Sequence, residues 1–121
     1  MKVAISARGN SLSSKVDQRF GRCKYFIVHD TETGATDVHD NQINLNAVQG
    51  AGIQSAANVA GLGVEAVLTG HVGPNSFRAL SAAGIKIYTG LQGTAAQAVE
   101  ELASGRITPV DSADVEGHWI I

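Results

Sequence analysis

The stretch Gly63-Val-Glu-Ala-Val-Leu-Thr-Gly-His-Val-Gly-Pro-Asn75 decides the fold. Val64 to Thr69 is an apolar run with one charge, bounded by Gly63 and Gly70, and such a run suits a strand covered on both faces. Gly73-Pro74 then opens a helix, because proline in a first turn gives up an N–H that has no partner there anyway. Phe77, Leu80 and Ala83 repeat at helical spacing as its inner stripe, and Gly84 stops it. A buried strand that feeds straight into a helix is the unit of an α/β layer structure.

The same reading extends in both directions. Downstream, Ile85 to Tyr88 predicts a short strand, Gly90 to Gly93 a loop, and Thr94 to Ala103 a helix with Ala98, Val99 and Leu102 inward and Gly105 as its stop. Upstream, the spacing of Ile53, Ala56, Ala57 and Ala60 predicts a helix from Gly50, stopped by Gly61 and Gly63. Lys2 to Ser6 and Tyr25 to Asp30 predict two strands. Thr31-Glu-Thr-Gly34 turns the second back as a polar edge strand, Ala35 to Asp40, antiparallel to it. The expected fold is a single α/β domain, a mixed sheet of about five strands with helices packed on it. Residues 1–110 form that domain, and 111–121 an acidic tail of little pattern, expected to be mobile. Asn41 to Gln49 is long enough to be a site loop.

A chain of 121 residues has room for one core, and 44% hydrophobic against 17% charged residues excludes general disorder. No apolar run approaches the ~20 residues needed to cross a bilayer, and the start MKVAISARG is not that of a signal peptide, so no membrane association is expected. The single cysteine, Cys23, makes no internal disulfide and points to a reducing cytoplasm. The net charge of −2 hides an asymmetry: residues 1–24 carry six Lys and Arg against Asp17 alone, and residues 25–121 carry three against ten acids.

Half of those six cations fall in Asp17-Gln-Arg-Phe-Gly-Arg-Cys-Lys-Tyr-Phe26. Arg19, Arg22 and Lys24 around Gly21 form a loop that either aims guanidinium and backbone donors at one anion or is a solvated basic loop with Arg19 paired to Asp17. Phe20 between the arginines either anchors the loop or lines a pocket. A second candidate is the turn Gly70-His-Val-Gly-Pro-Asn75 at the carboxyl end of a strand, where ligands of open α/β sheets bind and helix N-termini offer free N–H groups. His71 there is a metal or anion contact, or an ordinary loop histidine. Cys23, beside cations, is an activated thiolate or a small buried residue. Gly50-Ala-Gly52 is too incomplete for a dinucleotide fingerprint, and His29, His39 and His118 have no partner at metal-ligand spacing.

Several of these segments together, in order and spacing, resemble the dinitrogenase iron-molybdenum cofactor biosynthesis family. They are Arg19-Phe-Gly-Arg-Cys23, Gly50-x-Gly52, Gly63-Val64, Gly70-x-x-Gly73-Pro74, Gly84-Ile85 and Tyr88-x-Gly90, over residues 1 to 105. The resemblance implies a truncated ribonuclease-H-like fold and a carrier, not an enzyme, of anionic metal-sulfur clusters. The cargo it implies is an iron-molybdenum cofactor precursor or, for the short stand-alone form, a molybdenum-copper sulfide trianion held without covalent bonds. Carried over, Arg19, Phe20, Gly21, Arg22 and Lys24 would form one wall of the site and Gly70, His71, Gly73 and Asn75 the opposite wall, with Arg8 and Lys15 as outer members. The family also implies a partner ATPase or a cluster recipient, and the alternative function is an adaptor domain that binds such a partner through the basic loop. Nucleic acid is not an expected partner, because the clustered acidic metal ligands of a nuclease are absent from the sequence. An enzyme acting through Cys23 is the third reading.

Overall fold

A five-stranded sheet in the order β3-β2-β1-β4-β5 carries the chain. Its strands are β1 (Lys2–Ala7), β2 (Tyr25–Asp30), β3 (Thr36–Asp40), β4 (Ala66–Leu68) and β5 (Lys86–Tyr88). The computed structural model describes residues 1–45 and 50–114. β1 pairs antiparallel with β2 and parallel with β4, so the first strand joins a meander, β1-β2-β3, to a parallel half, β1-β4-β5. The mixed sheet and the edge position of β3 are as the sequence predicts.

Alternation along the central strands builds two cores, because successive side chains leave a strand on opposite faces. Ala4, Phe26, Val28 and Val67 face one layer, where they meet Ala56, Val59 and Leu80 of the helices α2 (Ala51–Ala60) and α3 (Pro74–Ala82). Val3, Ile5, Ile27, Ala66 and Leu68 face the other, against Ala95 and Ala98 of α4 (Ala95–Ala103). With both faces covered, the continuous apolar run at Ala66–Leu68 is explained, since all three residues are fully buried. Thr94 caps α4 through a reciprocal pair: its Oγ1 accepts the Gln97 N–H, and the Gln97 side chain accepts the Thr94 N–H.

Two inward stripes differ from the sequence expectation. On α2 the buried positions are Ala51, Ser55, Ala56 and Val59, whereas Ile53 is 48% exposed and Ala57 and Ala60 face outward. Small residues on every side of this helix let packing set its phase: Ser55 turns inward because its hydroxyl is satisfied there by the Gly21 carbonyl. On α3, Leu80 is buried and Phe77 packs against the core from the rim, but Ala83 is exposed at the C-cap. Within the expected loop Asn41 to Gln49, residues Gln42–Leu45 form a helical turn, α1, behind a fully buried Asn41; residues 46–49 lie outside the described part.

Candidate functional site

Beyond the carboxyl end of β1 the chain makes a loop, returns, and crosses the top of the sheet. The loop closes where the Arg8 N–H donates to the Lys15 carbonyl at 2.9 Å and Ala7 bridges Val16. The returning segment is then held to the sheet by buried hydroxyls. Ser6 Oγ donates to the Asp17 carbonyl at 2.8 Å and lies 2.7 Å from Thr69 Oγ1, while the Asp17 N–H donates to the Ser6 carbonyl at 2.8 Å. Further along, the His71 N–H donates to the Gln18 carbonyl at 2.8 Å, and the Phe20 N–H to the His71 carbonyl at 3.2 Å. Arg19 and His71 thereby form a parallel bridge.

This bridge brings the two candidate segments together side by side, as one continuous strip where the sequence reading places opposite walls. The close approach requires Gly70: a Cβ there would stand 2.6 Å from the Gln18 Cα, a contact the backbone cannot absorb without shifting. Gly73 serves as the N-cap of α3, and Asn75 is exposed on its first turn.

The side chains divide into three groups. Arg19, 42% exposed, places its Nε 3.8 Å from Asp17 Oδ1, an oxygen that also accepts the Arg19 backbone N–H at 3.0 Å. The loop pairing with Asp17 thus exists, and it leaves much of the guanidinium facing solvent. Arg22 is half-buried and Lys24 exposed, at the entry to β2, which antiparallel pairing sets beside the end of β1.

Phe20 and Gly21 are turned the other way. Phe20 is 0% exposed, with its ring centroid 5.2 Å from that of Phe26 at 50°, so it anchors the loop in the core and does not reach a ligand at the surface. Of the two alternatives for Phe20, this position is that of an anchor. Gly21 is buried, its carbonyl held by Ser55 Oγ at 2.7 Å.

The third group was not assembled from the sequence. An open cleft of about 350 Å³ lies between the 8–15 loop and the loop after β5, lined by Arg8, Lys15, Val16, Gln18, Gln92 and Gly93. Arg8 and Lys15, expected as outer members, are therefore the cations of the cleft, and none of its lining residues is acidic. Gln18 is fixed there by donating from Nε2 to the Leu91 carbonyl at 3.0 Å. A second residue outside the expectation is Asp114, from the predicted tail, whose carboxylate lies 2.8 Å from His71 Nδ1. The rest of that tail, residues 115–121, is outside the described part. A signal for the Gln92-Gly93 wall existed in Gly90 and Gly93, which both take positive φ in the loop after β5.

Cys23 is fully buried, and desolvation with the nearby Asp17 charge pushes its pKa well above the ordinary thiol range. It is a thiol, neither an activated nucleophile nor a ready metal ligand. We expect no alkylation by iodoacetamide at pH 8 in the folded protein and full reaction in denaturant; rapid labelling of the native state would contradict the burial. The sign of the linked pH effect is also set. The unfolded thiol ionises above about pH 8.5 while the folded one does not, so stability falls as pH rises through that value.

The architecture is a layered α/β domain in which the Arg19-His71 strip and the Arg8-Lys15 cleft lie beside one another, joined through Gln18. The chain belongs to the dinitrogenase iron-molybdenum cofactor family, whose profile matches residues 1–105. It is similar to the apo form of the orange protein from Desulfovibrio gigas, with 38% identity and a TM-score of 0.92 over 94% of this chain and 96% of that one. It is likewise similar to a NifB-like protein from Thermotoga, with 36% identity and a TM-score of 0.82 over 96% and 98%. An uncharacterized protein of Methanocaldococcus jannaschii is 31% identical over 91 residues, 73% of each chain. Family and structural likeness together support a cofactor-binding or carrier role. Among the described residues no helix is long and apolar enough to cross a membrane.

Proposed function

We propose that this domain binds and carries an anionic, molybdenum-containing sulfide cluster, in the first instance a molybdenum-copper sulfide, without covalent bonds and without catalysing a reaction. The observation that carries the reading is the acid-free cleft of Arg8, Lys15, Gln18 and Gln92, adjoining the Arg19-His71 strip on the same end of the sheet. A sulfide cluster offers a large polarizable surface, weak hydrogen-bond acceptors and several negative charges. It suits cations and amide donors set in an open cleft, and the thiol of Cys23, buried in the core, is not presented to such a cluster. Each unit-charge pair at 4 Å contributes roughly 1 kcal/mol in bulk water and roughly 4 kcal/mol at an effective dielectric of 20, so partial exclusion of water decides the affinity.

The test is uptake of tetrathiomolybdate with copper(I) by the apo protein, read as intense visible absorption. Arg8→Ala with Lys15→Ala is expected to weaken uptake by about tenfold or more, the equivalent of one to two unit-charge contacts in water. Rising salt should weaken the wild type and narrow its advantage over the double variant. Arg19→Ala with Arg22→Ala tests the loop separately. Undiminished uptake by both double variants would sink the proposed site.

A further inference from the structure

Asp114 reaches the candidate site from the far end of the chain. After α4 the backbone runs back across the outer edge of β5, where the Val110 N–H donates to the Ile87 carbonyl at 2.8 Å and Val110 packs on the α2-α3 core. Four residues later, Asp114 Oδ1 accepts the Val72 N–H at 2.7 Å, and Oδ2 lies 2.8 Å from His71 Nδ1. The Asp114 N–H donates in return to the Val72 carbonyl at 3.2 Å.

The turn between β4 and α3 therefore already holds an anion, and the anion belongs to the chain itself. We infer that Asp114 is an internal competitor: it occupies donors of the Gly70-Asn75 turn until an external anion displaces its carboxylate. This rests on the carrier reading above. Two features fit displacement over a fixed structural role. The carboxylate side chain is 29% exposed and that of His71 37%, so their bond is open to solvent, while the Val72 N–H calls for another acceptor when Asp114 Oδ1 leaves, which an incoming anion supplies. Asp111 and Ser112, between the Val110 anchor and Asp114, are exposed, so among the described residues this stretch adds no buried side chain after Val110. Loading the turn and docking the segment then become mutually exclusive, and each weakens the other by the same factor.

The experiment uses the full chain, with tetrathiomolybdate as the probe and Asp111→Ala as the control, because it removes the same charge from a neighbouring exposed position. Asp114→Ala is expected to bind roughly fivefold or more tightly than both wild type and the control, the lower end of measured site-to-site couplings. In the wild type, saturating probe should speed hydrogen exchange at the Asp114 amide, which loses its Val72 acceptor. Equal affinity of wild type and Asp114→Ala, or an Asp114 amide that exchanges no faster when loaded, overturns the inference while the carrier reading stands. Absence of binding by all three proteins overturns both.

Discussion

Replacing Phe20 with alanine is expected to lower the unfolding free energy by about 3–5 kcal/mol, the range for truncating a fully buried phenylalanine. The ring is 0% exposed, tilts against Phe26 at 5.2 Å, and shares its core with Cys23, Val72 and Leu80. It is also an apolar anchor of the crossing segment, beside the hydrogen bonds that tie that segment to Ser6, His71, Leu91 and Ser55. Loss of the ring removes both buried area and the registration of Arg19 beside His71. Phe20→Leu separates the two consequences. It keeps most of the volume and is expected to cost less than about 1.5 kcal/mol. Uptake of tetrathiomolybdate should then stay near wild type, since the ring does not line the cleft. Denaturant unfolding and anion titration on the same two variants check this; near-wild-type stability of Phe20→Leu with abolished uptake would return Phe20 to the ligand-binding wall.

The contrast between Phe20 and its neighbours shows what a sequence states and what it leaves out. Order along the chain was readable where one local rule governs. The turn Thr31-Glu-Thr-Gly34 sets the β2-β3 hairpin, with Gly34 at positive φ, and the apolar run before Gly70 marks a strand buried on both faces. The cationic loop was readable as chemistry, because Arg19, Arg22 and Lys24 are close in sequence.

Direction was not readable in the same way. Whether Phe20 points inward depends on the layer of α2 and α3 above it, and whether Ile53 or Ser55 is buried depends on the Gly21 carbonyl that receives the serine. Both are decided by partners more than thirty residues away. The bond between Asp114 and His71 spans 43 residues and joins a pattern-free segment to a turn. Nothing local in either segment announces it. The cleft has the same origin: Arg8 and Lys15 seem remote from Gln92 until Val16 donates to the Gly93 carbonyl at 2.9 Å and closes the two loops together.

The second large effect is expected at Asn41, which is fully buried and joins three segments, Cys23-Lys24, its own α1 turn and α2. Its N–H donates to the Lys24 carbonyl at 2.8 Å, and its Nδ2 donates to the Cys23 carbonyl at 3.0 Å and to Ser55 Oγ at 3.1 Å. Its Oδ1 accepts from Asn44 Nδ2 at 2.9 Å. Asn41→Ala leaves the Cys23 carbonyl and the Asn44 amide without these partners in the interior. At about 1–3 kcal/mol for each of these two orphaned groups, a loss of about 2–6 kcal/mol is expected. Asn41→Asp at neutral pH should be worse, although it is nearly the same size. A carboxylate has no N–H for the Cys23 carbonyl and sets a buried negative charge against it. Burial holds the pKa of the new acid above its unfolded value, so the defect should shrink as pH falls and the group is protonated in the fold. Chemical denaturation of both variants at pH 7 and pH 5 tests the ranking. A small loss in Asn41→Ala together with a pH-independent Asn41→Asp would mean that water fills the position, and that the Gly21-Lys24 backbone is held by its strand alone.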